Sequence, residues 1–296
     1  MQARAEFSYY PGCSVEGMNK AYDKSTRLVC KALDIDLAEL GDWNCCGATS
    51  YMSIDELRAH LLSARNLALA EKEKKDLVVV CPACLTTLTK TNRYMAENSR
   101  LRRTIGSALK AANLQYWGSV KVRHLLEVIV NEVGEHEIKA RIKRSLSGLK
   151  VAPYYGCQLT RPFGGIDDKE FPMMLDRLLT WLGVQPVNFP LKAKCCGGML
   201  MMTNEEVALG LTRNLLECAK QNGAECIATI CPLCHMNLEA YQGNVNKLFG
   251  TDFSVPILYF TQLTGVAFGF SRKALGINEE LIPSQALLEK HLEVLR

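Results

Sequence analysis

No glycine-rich phosphate loop of the GxGxxG or Walker A kind occurs in the 296 residues. The sequence therefore offers no motif for a nucleotide, and none for a bound flavin or nicotinamide. No apolar run reaches the roughly 20 residues that span a bilayer. The longest, "VPILYFTQLTGVAFGF" (255–270), carries Thr261, Gln262 and Thr264 and reads as a buried strand running into a helix. No leader pattern is visible, because Met1–Gln2–Ala3–Arg4 leads straight into a strand-like run. No basic run is interleaved with aromatics, so nothing speaks for nucleic acid, and the net charge of +4 lends only weak support to anionic ligands. Cysteine, by contrast, is abundant at 13. A chain this long buries a core without covalent staples, so the expectation is a cytoplasmic protein whose thiols serve metal or redox chemistry.

The cysteines expose a duplication. "SYYPGCSV" (8–15) matches "APYYGCQL" (152–159), "WNCCGAT" matches "AKCCGGM", and "LVVVCPACLTTL" (77–88) matches "IATICPLCHMNL" (227–238), in the same order. In the first half, 31 residues separate Cys13 from Cys45–Cys46, and 34 more lead to Cys81 and Cys84. In the second, the gaps from Cys157 to Cys195–Cys196 and on to Cys231 and Cys234 are 37 and 34. Cys30, Cys218 and Cys226 fall outside the pattern and read as core fillers. The element pattern repeats as well. "FSYY" reads as a strand and Asn19–Leu33 as a helix. Ser53 and Glu56 suggest a capping box ahead of a stripe of Ile54, Leu57, Leu61, Ala64 and Ala68. "DLVVV" and "CIATI" read as buried strands, each followed by a helix opened by Cys-Pro. A stripe from Phe171 to Leu182 and the segment Asn204–Asn222, closed by Gly223, complete the second half. The expected fold class is α/β: two tandem homologous domains related by a pseudo-twofold, each a small parallel sheet flanked by helices and bearing one five-cysteine site. The expected boundary lies in "KRSLSGLK" (143–150), giving domains 1–148 and 149–296.

Five thiols restrict the chemistry. A CxxC between strand and helix is thioredoxin-like, but that activity uses two cysteines. Structural zinc takes four ligands in a tetrahedron, and adjacent cysteines suit one such ion poorly. A cubane iron–sulfur cluster also needs only four. A fifth thiol means an unusual cluster, a bridging thiolate or a spare ligand. Gly47, Gly197 and Gly198 let backbone N–H groups approach sulfur, and the helix starts at Cys81 and Cys231 add positive dipole ends. On these grounds iron–sulfur ranks above zinc, and zinc above a disulfide framework.

Through "YYPGC", "WNCCG" and "YYGCQLTRP" the chain resembles the CCG family, and two complete copies at this length resemble the B-subunit family of heterodisulfide reductases. The resemblance covers nearly the whole chain. It implies two non-cubane 4Fe–4S clusters, one on Cys13, Cys45, Cys46, Cys81 and Cys84 and one on Cys157, Cys195, Cys196, Cys231 and Cys234. It implies that the two together form a disulfide-cleaving site, with the mixed disulfide of coenzymes M and B as substrate in methanogen-type enzymes. Electrons would come from the ferredoxin-like 4Fe–4S C-subunit and the flavin-bearing A-subunit of such a complex. Rival readings are a sulfur-oxidising heterodisulfide reductase-like complex, an electron-relay subunit beside a dehydrogenase, and structural zinc in one of the sets.

Other residues carry weaker signals. Arg161, Lys192 and Lys194 flank cysteines and suit the phosphate or sulfonate of an anionic thiol, although a solvated loop explains the lysines equally well. His235, beside Cys234, reads as a helix-surface residue before it reads as a proton source, and His60 and His124 as structural. Met199, Met201 and Met202 read as packing. "EHEIKARIKR" (135–144) reads as a solvated helix face or a contact with another protein of the complex.

Overall fold

The computed structural model describes residues 5–48, 50–161, 163 and 165–294. The first half runs β1 (Ala5–Tyr10), α1 (Lys20–Ala32), β2 (Ile35–Glu39), α2 (Glu56–Glu73), β3 (Leu77–Val79), α3 (Pro82–Glu97), α4 (Ser99–Ala111) and β4 (Val122–His124). The second runs β5 (Lys150–Tyr154), α5 (Met174–Trp181), β6 (Gln185–Pro186), α6 (Glu205–Gln221), β7 (Cys226–Thr229), α7 (Pro232–Ala240), α8 (Gln242–Phe249), β8 (Ile257–Tyr259) and α9 (Phe260–Ala267). The strands form two four-stranded sheets of like order, β2-β1-β3-β4 and β6-β5-β7-β8. Every pairing within them is parallel. The expected α/β class and its duplication are both present.

Parallel strands are covered on both faces and so read as continuous apolar runs. "LVV" in β3 and "CIAT" in β7 are wholly buried. Register is set by β1 against β3 from Ser8 opposite Leu77 to Tyr10 opposite Val79, and by β5 against β7 from Val151 opposite Cys226 to Tyr154 opposite Thr229. The apolar run at 255–270 is a strand turning directly into a helix, as its composition suggests.

The halves share a core. One buried cluster contains Tyr9, Tyr22 and Leu77 from the first half together with Val151, Tyr259 and Phe260 from the second. Helix α1 packs on α9, where Ser25 and Thr261 hydroxyls meet at 2.7 Å and the Tyr22 ring stacks on Tyr259 with centroids 3.9 Å apart. In the stretch expected to join the halves, Arg144–Ser145 pairs antiparallel with Glu293–Val294.

Several local expectations are corrected. Helix α2 is capped by Asp55, whose carboxylate accepts from Arg58 N at 3.0 Å, and not by Ser53. The Glu56 carboxylate binds Lys90 at 2.6 Å instead of closing a capping box. Ile54 and Leu57 are exposed, and the buried face includes His60, Ser63 and Asn66, because this face must bond a neighbouring cysteine loop. Phe171 is exposed ahead of α5, since Asp167 accepts from Met173 N and Met174 N and so sets the helix start. Of the three methionines near the second cysteine pair only Met201 is buried; Met199 and Met202 are exposed. The charged segment after 134 is helical only to Ala140, and Arg141 ties it to Asp34 and the Ala32 carbonyl.

Candidate functional site

Ligands of open parallel sheets gather beyond the carboxyl ends of the strands. The repeated spacing places all ten cysteines there. Cys13 follows β1, Cys45–Cys46 follow β2, and Cys81 follows β3, and these three strands are neighbours. Strands β5, β6 and β7 do the same for Cys157, Cys195–Cys196 and Cys231. Adjacent strands lie about 4.8 Å apart, so segments far apart in sequence deliver thiols to one point. Each CxxC then spans a strand-to-helix corner, with Cys81 or Cys231 at the N-cap and proline next. The second thiol, Cys84 or Cys234, lies in the first turn, where the helix dipole favours negative charge.

All ten are free thiols. Sulfur contacts link Cys13 to Cys45 at 3.6 Å, Cys46 to Cys84 at 3.4 Å and Cys196 to Cys234 at 3.6 Å. Cys157 also interacts with Cys195, and Cys81 with Cys231 across the halves, through the mutual influence of their charges. The two five-cysteine sets are therefore contiguous at the seam. Among the described residues no group of three or more His, Cys, Asp or Glu side chains is arranged to hold a single metal ion.

In four of these five pairs one thiol, Cys45, Cys81, Cys195 or Cys196, is biased toward thiolate, whereas Cys46 and Cys84 are both pushed up, first by their bonds to Cys45 and to Cys46. Cys195 is held down to about 6 by the hydrogen bond from Cys157, aided by the Gly197 N–H. Cys45 is lowered by Cys13 and then Cys46, and Cys81 by Cys231 and then Cys84. Backbone donors also reach sulfur: Gly197 N lies 3.3 Å from Cys195 Sγ and Gly198 N lies 3.4 Å from Cys196 Sγ.

The surrounding shell is duplicated too. Tyr10 OH donates to the Asn44 carbonyl and Tyr154 OH to the Lys194 carbonyl, pinning the loop before each cysteine pair. Ser63 and Thr212 donate to the carbonyls of Cys46 and Cys196, and Asn237 also reaches the latter. A Cβ on Gly47 would lie 3.0 Å from Ala59 Cα, and one on Gly197 would lie 2.8 Å from Ala208 Cα, so each CCG turn rests on a helix. Gly12 and Gly156 have φ of +79° and +69°, and a Cβ on them would meet Cys84 Sγ at 3.2 Å and Cys234 Sγ at 3.0 Å. Sequence reasoning passes over these two glycines and the tyrosines near them. Their signal is the fixed offset before each first cysteine, glycine at minus one and tyrosine at minus three.

The weaker residues separate. Lys192 is buried, with Nζ 2.7 Å from Asp176 and 3.1 Å from the Pro172 carbonyl. It is neither a solvated lysine nor free to draw an anion. Lys194 is exposed beside exposed Cys195. Arg161 reaches Glu170 at 3.3 Å; Pro162 of the quoted motif lies outside the described residues. His235 is buried rather than on a helix surface, because Tyr259 covers it in a stack at 4.1 Å. Tyr259 OH donates to Asn19 at 2.6 Å and Tyr22 OH to the Ile230 carbonyl, so three stacked rings bridge the halves beside Cys231 and Cys234. Strand β4 ends at His124 where β8 ends at Tyr259; the Nδ1 of His124 caps the next helix by accepting from Leu126 N. Burial pushes both His124 and His235 down to about 4, which leaves them neutral.

Comparison with known proteins agrees with the duplication. The cysteine-rich domain model CCG matches residues 7–89 and 151–239. The B subunit of the ferredoxin/F420H2-dependent CoB-CoM heterodisulfide reductase of Methanosarcina acetivorans is 32% identical over 98% of both chains. The 8-methylmenaquinol:fumarate reductase membrane anchor subunit of Wolinella succinogenes is 34% identical over 95% of this chain and 99% of its own. A protein of Archaeoglobus profundus described as like the heterodisulfide reductase B subunit is 29% identical over 97% and 98%. Among solved structures, a hypothetical protein from Helicobacter pylori shares the fold with a TM-score of 0.76 at 14% identity, over 96% of this chain and 53% of that one. No described helix is long and apolar enough to cross a membrane.

Proposed function

The chain belongs to the cysteine-rich CCG domain family, and from that premise we propose that it is the iron–sulfur subunit of a heterodisulfide reductase-type complex. One observation carries this reading: two sets of five thiols, each at the carboxyl edge of its own sheet, face a common seam across which Cys81 and Cys231 interact electrostatically. The donor set suits iron and sulfide. It is all sulfur, N–H groups point at sulfur, and Gly12 and Gly156 keep clear the space that a Cβ would fill. Cys13, Cys45, Cys46, Cys81 and Cys84 would hold one non-cubane 4Fe–4S cluster, and Cys157, Cys195, Cys196, Cys231 and Cys234 the second. Such clusters supply one-electron steps and an affinity for sulfur.

The proposed reaction breaks one S–S bond, consumes two electrons and two protons, and releases two thiols. The electrons arrive from partner proteins, a ferredoxin-like 4Fe–4S subunit and a flavin-bearing one. The chain's own residues set the geometry. Tyr10 and Tyr154 fix the approach to each cysteine pair, and the Tyr22–Tyr259–His235 stack closes the seam to water. Lys194 and Arg161 flank the more exposed Cys195 and Cys157, where an anionic thiol substrate would enter.

A second reading has its own support: the fumarate reductase anchor subunit is as similar as the heterodisulfide reductase subunit. In that case the chain relays electrons and binds no thiol. Iron, sulfide and zinc per chain, measured on protein purified without oxygen, test the metal assignment. EPR before and after adding thiols tests the substrate. About eight irons and a thiol-perturbed signal are expected. Full iron with no thiol response would favour the relay, and about four irons with one zinc would end the two-cluster reading.

A further inference from the structure

The first half carries an element that the second lacks in this form. From Asn98 to Leu126 the chain contains Arg100, Arg102, Arg103, Lys110, Lys121 and Arg123 and no acidic residue. Helix α4 lies in this stretch. It buries Ile105 and Leu109 and turns Arg103 and Lys110 to solvent. Among the described residues neither cation has a carboxylate partner. Beyond α4 comes Trp117, which is 82% exposed.

That exposure is built. Glu71 accepts from Trp117 N at 2.7 Å, from Ser119 N at 2.8 Å and from Ser119 Oγ at 2.8 Å. Tyr116 OH donates to Asn92 Oδ1, and Asn92 Nδ2 donates to the Val120 carbonyl. Gly118, at φ +91°, makes the turn. The Glu71 carboxylate is thus consumed in holding the indole outward. On one side of Trp117 opens a cavity of about 540 Å³ with Met95 and Tyr116 among its lining and Arg102, Arg103 and Lys110 around it.

We propose that this face of α4 and Trp117 attaches the protein peripherally to an anionic lipid surface. Tryptophan settles at the headgroup level of bilayers, and clustered cations are drawn to anionic leaflets. The cysteines sit at the start of α3 and the cavity at its end, Asn92 to Ala96, so about 1.5 Å per residue over some 10 residues separates them by roughly 15 Å. The proposal does not depend on the substrate assigned to the clusters.

Vesicle sedimentation tests it, with the full chain purified without oxygen and with phosphatidylcholine vesicles containing or lacking phosphatidylglycerol. The wild type is expected to partition at least tenfold more strongly to the anionic vesicles and to lose this preference in high salt. Arg103→Glu with Lys110→Glu is expected to weaken binding at least tenfold while iron content and melting stay unchanged. Brominated lipid is expected to quench the wild type and not Trp117→Phe, which retains Trp43 and Trp181. Equal binding to both vesicle types, wild-type binding by the charge-reversed variant, or capture of a purified acidic ferredoxin in place of vesicles would each overturn it.

Discussion

A methyl group at position 156 would lie 3.0 Å from Cys234 Sγ, on a backbone with φ +69°. An L-residue in that left-handed region costs roughly 1–2 kcal/mol before any contact is counted, and the Cys234 sulfur must give way to the new methyl. If each set holds a cluster as proposed, Gly156→Ala is expected to lower the iron of the second set, roughly halving total iron, while the first set keeps its own; iron per chain and EPR check this. Gly12→Ala, with Cys84 Sγ at 3.2 Å, should do the same to the first set. Glu280 offers a test away from the two cysteine sets. Burial, opposed by Ser284, raises its carboxyl from 4.5 to about 7. The folded state thus holds the proton more tightly than the unfolded state. Its contribution is favourable at low pH and is lost as pH rises from 4.5 through 7. Glu280→Gln should leave the melting temperature unchanged near pH 4 and raise it at pH 8; a shift of equal size at both would contradict the assignment. The ten cysteines were legible in sequence because their spacing recurs. Burial of Lys192 was not, since its partner Asp176 lies 16 residues away on α5 and only the folded chain brings them together.

At the scale of elements, two helices steady the cysteine pairs from behind. Helix α2 supplies Ser63 to the Cys46 carbonyl and α6 supplies Thr212 to the Cys196 carbonyl. Their starts are fixed by Asp55, which accepts from Arg58 N, and Asn204, which accepts from Val207 N. Replacing either by alanine removes a cap worth about 1 kcal/mol. Asp55→Ala and Asn204→Ala should each lower the melting temperature by a few degrees and leave iron per chain intact, because the carbonyl contacts lie two turns further on. Loss of iron would show instead that the helix start itself positions the thiols. The strands and the Cys-Pro helix starts could be read in advance, since β-branched runs and N1 proline are local signals. The Asp55 cap could not, because "SIDE" offers two capping residues and tertiary packing chooses between them: Glu56, needed at N3 of a box opened by Ser53, is taken by Lys90 on α3.

At the scale of the molecule the duplication leads to mutual dependence. Each half has its own sheet, yet Tyr22 of the first stacks on Tyr259 of the second, and each hydroxyl bonds to the opposite half. The shared buried cluster runs through this seam, with Cys81 and Cys231 among the buried residues beside it. Separate folding would leave that apolar surface and a buried thiol exposed on each half. The two sheets should therefore unfold in one transition, with far-UV circular dichroism and cluster absorbance changing together in denaturant. Tyr259→Leu removes the stacked ring and its bond to Asn19, a loss on the order of 2–4 kcal/mol. It should move both signals by the same amount, although the substitution belongs to one half. Two resolved transitions, or a shift confined to one cluster, would mean that the halves are independent and that the contact across the seam does not bind them into one unit.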